Sequence, residues 1–579
     1  MNIDKKKQHH SHLSLNIFYI KNEHYQAVIK NISRITILFF LLHSTLCFAQ
    51  ISGTTVVQEH IRKQMEALQD SSQRIINETI GLSEQIHRPK VDSDFYQKRD
   101  FMPAWTNGTK VLPAAKQLLT CIQTSVSHGL LPQDYHLIGL TQMIGLIETS
   151  VPAQIDLSTI ASLDILLSDA YILLGTHYLE GKVKPQEHNE NWNISKKAIG
   201  MAFYLEKALA ENKDICVTLD ALAPIHPEYQ QLREILQIYQ SLSWQPIQAE
   251  WNVLLQKGSR SPLVLDLRER LKIIGDLAPD AEQTDYFDKP LEKAVMKFQR
   301  RHGMFYDGLL RSNVVNALNV TVEERIQQIK ANLERWRWMP DNLGDKYIGI
   351  NIPEYMLEMW DNGQRVYKDL VVVGRERYQT ASFSDSVEYL VLNPYWNMPK
   401  SIAKNELSFA VQDDIEHFAN QDIHVFKNNK EIDPTKIDWF TADYDKYFFR
   451  QSSNSENPMG LVKFIFPNDF DIYMHDTPTK KIFNYSRRSH SHGCVRLNDP
   501  MKYAQFLLDN YNRSWDSTRV KRALKNTDEE TIVRFPAPIP IHLMYWTVFI
   551  DEDTDELNFR EDLYLWDKDL YKLLVEPLN

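Results

Sequence analysis

At 579 residues the chain is too long for one hydrophobic core, and roughly 150 residues per domain implies three or four. Its 43% hydrophobic and 24% charged residues are those of a globular protein and exclude collagen-like and low-complexity classes. A net charge of −11 argues against a nucleic-acid binder, which needs a basic stripe to neutralise phosphates.

In chain order, residues 1–49 come first. Lys5, Lys6, Lys7, Lys21, Lys30 and Arg34 outnumber Asp4 and Glu23 there and lead into an apolar run over 35–48, closed by Cys47-Phe48-Ala49. The run falls short of the ~20 residues that span a bilayer, and Cys47 and Ala49 put small residues where a signal peptidase reads them. Residues 1–49 are expected to be a secretion signal, with a retained anchor as the alternative. Membrane contact is expected through this segment alone. Leu46 is too bulky for a lipoprotein signal at Cys47. Past the signal, Cys121, Cys216 and Cys494 remain. In an oxidising compartment two of the three could pair. Cys121 and Cys216 lie in helical, apolar surroundings and read equally as buried small hydrophobes. Cys494 has the most unusual neighbours.

Residues 50–91 are polar, lack a strong apolar stripe and read as a linker. Residues 92–257 carry helical spacing, as in Leu118, Ile122 and Val126 or Leu163, Leu166, Leu167 and Ala170. Turn signals at His128-Gly129 and Glu180-Gly181 separate the segments, so a helical scaffold domain is expected. Residues 258–320 form a compact unit. Leu267, Leu271 and Ile274, then Leu291, Val295 and Phe298, mark two helices stopped by Gly275 and Gly303. A connecting helix, Val322 to Trp338, lies within 321–346. Strands follow over 347–528: β-branched or aromatic runs at 347–352, 370–373, 389–392 and 462–466. Residues 402–457 interrupt them, helical first and aromatic later, and are longer than an ordinary loop. They read as a lid over a site. Residues 529–579, a strand over 541–549 and a helical tail, complete the unit. The fold class expected is α+β and multi-domain, with the strand-rich domain built as a curved sandwich.

The chemistry concentrates in Ile472-Tyr-Met-His475-Asp-Thr-Pro478 and Ser491-His492-Gly493-Cys494-Val-Arg496-Leu497. A His near a strand end and a Cys in a glycine turn, 19 residues on, can meet across a short loop. An ordinary thiol is largely protonated at neutral pH, and a nearby imidazolium favours the thiolate. Gly493 leaves room for a substrate carbonyl, and turn amides can face an oxyanion. Tyr473, two residues before His475, lies on the same strand face. His475, His490, His492 and Cys494 could also ligate zinc, but their spacing lacks Cys-x-x-Cys or His-x-x-x-His. No metal and no cofactor are expected.

Together the two strings resemble the signature of the L,D-transpeptidase (YkuD-type) family. Asn393-Pro-Tyr-Trp-Asn-Met-Pro399, Asn457-Pro-Met-Gly460 and Asn332-Leu-Glu-Arg-Trp-Arg-Trp338 resemble its large periplasmic members. Those members carry a scaffold, a lidded catalytic domain and a peptidoglycan-binding module, which Phe298-Gln-Arg-Arg-His302-Gly303 and Asp307-Gly308 resemble. The likeness covers roughly residues 92–570. It implies that Cys494 attacks the bond between the third residue of a stem tetrapeptide, a diamino acid, and its terminal D-Ala. A second stem's side-chain amine then resolves the thioester into a 3→3 cross-link. It implies His475 as proton carrier, Tyr473 and the Gly493 and Cys494 amides as oxyanion donors, and Arg496 as partner of a substrate carboxylate. Ser491 and His492 shape the turn. The expected partners are donor and acceptor peptidoglycan stems, with carbapenem-type β-lactams as covalent inhibitors, and the expected location is the periplasm. Water as acceptor (an L,D-carboxypeptidase), attachment to a lipoprotein, and an inactive wall-binding scaffold are the alternatives.

Overall fold

The computed structural model describes residues 53–68, 74–77, 81–188, 192–193, 199–454, 456–526 and 529–578. The expected secretion signal over 1–49 lies outside the described residues. The chain divides into two compact units, one of Met1–Ala115 with Gly139–Leu167 and one of Lys116–Ile138 with Ser168–Asn579.

In the first unit the expected linker is a correction. Residues 53–68 form a helix that buries Val57, Ile61, Met65 and Leu68. Spacings of four, four and three make a single helical face. The stripe is one residue wide among polar neighbours, so it reads as a spacer in sequence. A hairpin of Arg74–Asn77 and Leu82–Gln85 follows. The buried Asp164 carboxylate accepts hydrogen bonds from the amides of Ala104 (2.7 Å) and Trp105 (2.9 Å) and the hydroxyls of Thr106 (2.8 Å) and Tyr96 (2.9 Å). Four donors compensate the cost of burying that group.

Helix α1 (Leu157–Glu180) buries Leu163, Leu166, Leu167 and Ala170 as their spacing requires. It is long and apolar enough to cross a membrane, but 89% of its apolar window is buried in the protein, as in a core helix. Leu118 and Ile122 are buried, whereas Val126 is 41% exposed. The helix Pro113–Thr124 gives way to a 3₁₀ turn over Ser125–His128, closed by Gly129 at φ +78°, which rotates Val126 outward. Cys121 and Cys216 form a disulfide, with Cα atoms 5.3 Å apart.

In the second unit, helices α2 (Leu263–Ile273), α3 (Lys289–Arg301) and α4 (Ser312–Leu318) surround a core containing Leu267, Leu271, Leu291, Val295 and Phe298. Gly275 (φ +76°) and Gly303 (φ +65°) end α2 and α3 in the left-handed region that glycine enters freely. Gln299 donates to Asp307 Oδ1 (3.0 Å) and accepts from the Gly308 amide (2.8 Å), so these motif residues tie their own loop. Helix α5 (Val322–Trp338) opens with a Thr321/Glu324 capping box. Its buried Arg335 and Arg337 pair with Asp567 and Glu334.

The strand-rich region contains β1 (Lys346–Asn351), β2 (Met356–Asp361), β3 (Gln364–Gly374), β4 (Ser382–Leu392), β5 (Trp396–Asn397), β6 (Ile423–Lys427), β7 (Lys430–Ile432), β8 (Phe448–Gln451), β9 (Val462–Ile465), β10 (Met474–His475), β11 (Ser489–Ser491), β12 (Val495–Leu497) and β13 (Thr531–Met544). The main sheet runs β9-β10-β12-β3-β2-β1-β13-β4, and β4 pairs again with β9. Eight strands therefore close into a ring, where a curved sandwich was expected. Alternating side chains look the same in either arrangement, and only the β4–β9 pairing closes the circle. Inside lie Val371, Val373, Leu390, Phe464, Met474, Val495 and Leu543, with Tyr503 and Leu507 of helix α6 (Pro500–Tyr511) packed against them. The C-terminal strand β13 sits between β1 and β4 and is integral to this sheet.

Strands β5, β8, β6 and β7 make a separate sheet inserted between β4 and β9. It starts at Trp396 rather than 402, because Trp396 pairs with Gln451 and Asn397 with Arg450. Its own core of Phe418, Trp439, Tyr444 and Phe449 accounts for the aromatic run.

Candidate active site

Strands β10 and β12 run parallel, with Met474 opposite Val495 and His475 opposite Arg496. Side chains alternate across a sheet. Met474 and Val495 enter the core, so Tyr473, His475, Cys494 and Arg496 emerge together on the other side. They line a cavity of about 570 Å³ roofed by Trp396, Pro399 and Glu406 of the inserted segment. One ladder register thus assembles four of the sequence-predicted residues.

The Cys494 turn is built around Gly493, at φ +114°. Ser491 Oγ donates to the Cys494 carbonyl (2.6 Å) and accepts from the Gly493 amide (3.1 Å), so Ser491 braces the turn. Thr380, which no motif in the sequence signals, donates from Oγ1 to the Gly493 carbonyl (2.6 Å) and accepts from the Gly374 amide (2.9 Å). His492 lines the same cavity and is engaged by groups other than the thiol. Its Nε2 lies 2.6 Å from both Arg375 Nη2 and Glu406 Oε1, and it either accepts from the first or donates to the second. Glu406 belongs to the inserted segment, so His492 links the cysteine turn to the roof.

The Cys494 sulfur lies 3.6 Å from the Asp471 carbonyl. It also meets the backbone N–H and the phenol of Tyr473. Burial pushes the thiol up to about 11, with both Tyr473 groups and Arg496 acting against it. His475 Nδ1 donates to the Asp476 carbonyl (2.5 Å), and the ring also faces the Pro458 carbonyl. Burial pushes this imidazole down to about 3, helped by the nearby Arg496 charge. The Tyr473 and His475 rings are 5.7 Å apart. No hydrogen bond joins the imidazole to the sulfur among the described residues. Burial thus favours a neutral thiol and a neutral imidazole, where the sequence suggests a thiolate held by an imidazolium. The physical reason is burial, which disfavours either charge.

The Asp476 carboxylate accepts from the amides of Thr477 (2.6 Å) and Leu461 (2.9 Å) and from Lys480 (2.8 Å), so it holds its loop. Arg496 differs: its Nε is buried without a hydrogen-bond partner, and among the described residues it makes no ion pair. A guanidinium left open towards the cavity can receive a carboxylate in a fork geometry.

Ring, cysteine turn and inserted roof together define a class, a β-rich domain carrying one thiol and two imidazoles, His475 and His492, in a covered cavity. Residues 345–521 match the family model of the L,D-transpeptidase catalytic domain (YkuD). Residues 93–236 match a scaffold domain, and 260–318 a "putative peptidoglycan binding domain". The chain thus carries a YkuD-type L,D-transpeptidase catalytic domain together with a scaffold domain and a peptidoglycan-binding domain. A Haemophilus influenzae protein named "Putative L,D-transpeptidase" is 28% identical over 246 residues, 42% of this chain. The match spans about half (49%) of that relative's length. Among solved structures, an L,D-transpeptidase from Mycobacterium smegmatis is 10% identical, with TM-score 0.17, over 34% of this chain and 58% of that one. One from Stackebrandtia nassauensis is 11% identical, with TM-score 0.20, over 52% and 97%. Overlaps this low place no residue of the site.

Proposed function

We propose that the protein is an exported L,D-transpeptidase that forms 3→3 cross-links between peptidoglycan stem peptides. The observation carrying this reading is the β10–β12 register, which turns Tyr473, His475, Cys494 and Arg496 into one covered cavity. Arg496 receives the donor stem's carboxylate. The Cys494 thiol gives its proton to His475 as the sulfur adds to the carbonyl of the diamino acid. The C–N bond to D-Ala breaks, the amine leaves with the proton held by His475, and a thioester remains. The side-chain amine of a second stem then attacks the thioester. His475 takes its proton, the C–S bond breaks, and the thiol is restored. Tyr473 stabilises the sulfur and, with the Cys494 amide, the oxyanion while charge is present; the Gly493 amide, named from the resemblance, is already given to Ser491 Oγ. Burial keeps thiol and imidazole neutral before substrate arrives. Proton transfer accompanies attack; no thiolate is stored beforehand. The Cys121–Cys216 disulfide supports an oxidising, extracytoplasmic compartment, consistent with the signal-like first 49 residues. A carbapenem ring would be opened by the same thiol.

The test is incubation of purified protein with disaccharide-tetrapeptide, followed by mass spectrometry. D-Ala loss with a cross-linked dimer is expected, and neither with Cys494→Ala. Loss of D-Ala without dimer would assign water as acceptor, and a dimer formed by Cys494→Ala would refute the mechanism.

A further inference from the structure

Two carboxylates line the catalytic cavity, those of Glu406 and Asp471, and the reaction proposed above uses neither. Glu406 is taken. Its Oε1 lies 2.6 Å from His492 Nε2 and 3.8 Å from Arg375 Nη2. Asp471 is exposed, and among the described residues its carboxylate makes no ion pair and accepts no hydrogen bond. Arg496, the one Lys or Arg side chain in the lining, is the other unmatched charge. The Cys494 sulfur thus sits in the field of one unmatched anion and one unmatched cation.

The loop from β9 to β10 holds Asp471 in place. Asn468 Oδ1 accepts from the amides of Phe470 (3.0 Å) and Ile472 (3.2 Å), and its Nδ2 donates to the carbonyls of Phe466 and Ile472 (2.7 Å each). Phe470 and Ile472 pack into the core of the ring, with the Phe470 ring 5.1 Å from that of Phe383. Between these anchors Asp471 stands at φ +53°, a left-handed conformation that Asp and Asn tolerate. Its carbonyl lies 3.6 Å from Cys494 Sγ. A carboxylate oxygen is at most ~5 Å from the carbonyl oxygen of its own residue, so this charge stays within ~9 Å of the sulfur. That is inside the ~10 Å over which salt leaves a charge effective.

An anion beside a thiol works against the thiolate: after burial, the larger cause, the Asp471 charge also pushes Cys494 up. Asp471 therefore does not help the sulfur attack. It suits the second half of the reaction. The thioester carbon is bonded to this same sulfur, and the nucleophile that must reach it is a side-chain amine, an ammonium at neutral pH. The donor's own ammonium stands a whole side chain away from that carbon, whereas the acceptor's nitrogen has to meet it. We propose that Asp471 is a specificity-determining residue that gathers the acceptor's ammonium beside the thioester, so that an amine is used ahead of water. One ammonium proton passes by way of the carboxylate to water, and the neutral amine attacks. The C–N bond forms, His475 takes the second proton, the C–S bond breaks and that proton returns to sulfur. The proposal rests on the reading above that Cys494 acts on stem peptides.

The experiment lets two nucleophiles compete for one acyl-enzyme. The protein is incubated with disaccharide-tetrapeptide and hydroxylamine, which is uncharged at pH 7.5 and has no use for a carboxylate. Mass spectrometry then quantifies cross-linked dimer against tripeptide hydroxamate. Asp471→Asn keeps the shape and the left-handed backbone and removes the charge. Its dimer-to-hydroxamate ratio is expected to fall about fivefold, the worth of one exposed ion pair. The ratio is internal to each sample, so neither the folded fraction nor the rate of acylation enters it. Raising salt from about 0.05 to about 0.5 M should lower the parent's ratio and leave the variant's flat. An equal ratio in parent and variant, or a parent ratio indifferent to salt, would overturn the role of Asp471. So would a variant that released D-Ala slowly at an unaltered ratio, which would put the donor's ammonium there instead. Neither dimer nor hydroxamate from the parent would sink the proposed reaction, and this role with it. Hydroxamate without dimer would leave the thioester standing and remove both the amine acceptor and the role of Asp471.

Discussion

Replacing Tyr473 by Phe tests how the sulfur is charged. With the Cys494 thiol pushed up to about 11, only ~0.03% of it is ionised at pH 7.5, against ~10% of an ordinary thiol. Alkylation should be slower than that of a free thiol by roughly two orders of magnitude. The Tyr473 phenol is one of the groups that hold this value down. A hydrogen bond to a charged atom contributes about 1.5–3 kcal/mol, or ~1–2 pK units. Tyr473→Phe should therefore lower the thiolate fraction, and the alkylation rate with it, by a further ~10–100-fold. The assay is iodoacetamide labelling from pH 5 to 10, quantified on the Cys494 peptide; Cys121 and Cys216 are bridged and silent. The expected profile climbs about tenfold per pH unit with no plateau below pH 9, and the variant gives a parallel, lower line. His475→Ala should leave this resting profile nearly unchanged while abolishing turnover. A plateau reached below pH 7 would reveal a resting ion pair and refute the reasoning, as would a Tyr473→Phe line superimposed on the parent.

Acid should loosen the fold through its buried imidazoles. His128 is pushed down to about 4 and His475 to about 3, both by burial, so the unfolded chain takes the proton first. Their contribution is complete above pH ~6.5 and is lost as pH falls towards those values, about 3 kcal/mol for His128. Urea midpoints between pH 7.5 and 4.5 should record the fall, and His128→Phe should make it shallower whatever its absolute stability. Removing the Cys121–Cys216 bridge, which closes a 95-residue separation, should cost about 2–5 kcal/mol. Matched thermal scans with and without dithiothreitol would show it, and an unchanged Tm would contradict it. Thr380→Val strips the Gly493 carbonyl of its 2.6 Å donor. It should cost about 1–3 kcal/mol and slow acylation at least tenfold, measured as kcat on tetrapeptide beside the urea midpoint; full acylation in a folded variant would remove Thr380 from the turn's support.

Much of the molecule was legible before any coordinates, because local rules govern it. The four- and three-residue spacings at Leu267–Ile274, Leu291–Phe298 and Leu163–Ala170 set helical faces, and glycines at 275 and 303 stop helices wherever they are packed. The two-residue alternation puts Tyr473 on the His475 face, and the Ser-His-Gly-Cys string marks the turn. What tertiary structure alone decided is which faces meet and what that does to charge. Nothing local tells β4 to take β9 as a partner, so the closed ring could not be read from alternation. The helix at 53–68 stays hidden because its stripe acquires meaning only against a surface that buries it. Thr380 carries no motif, yet chain return from β3 to β4 sets its hydroxyl under Gly493. The protonation of Cys494 and His475 follows from their burial in the folded domain, which no local motif encodes. Residue identity supplied a thiol and an imidazole; burial in the assembled domain favours the neutral form of both.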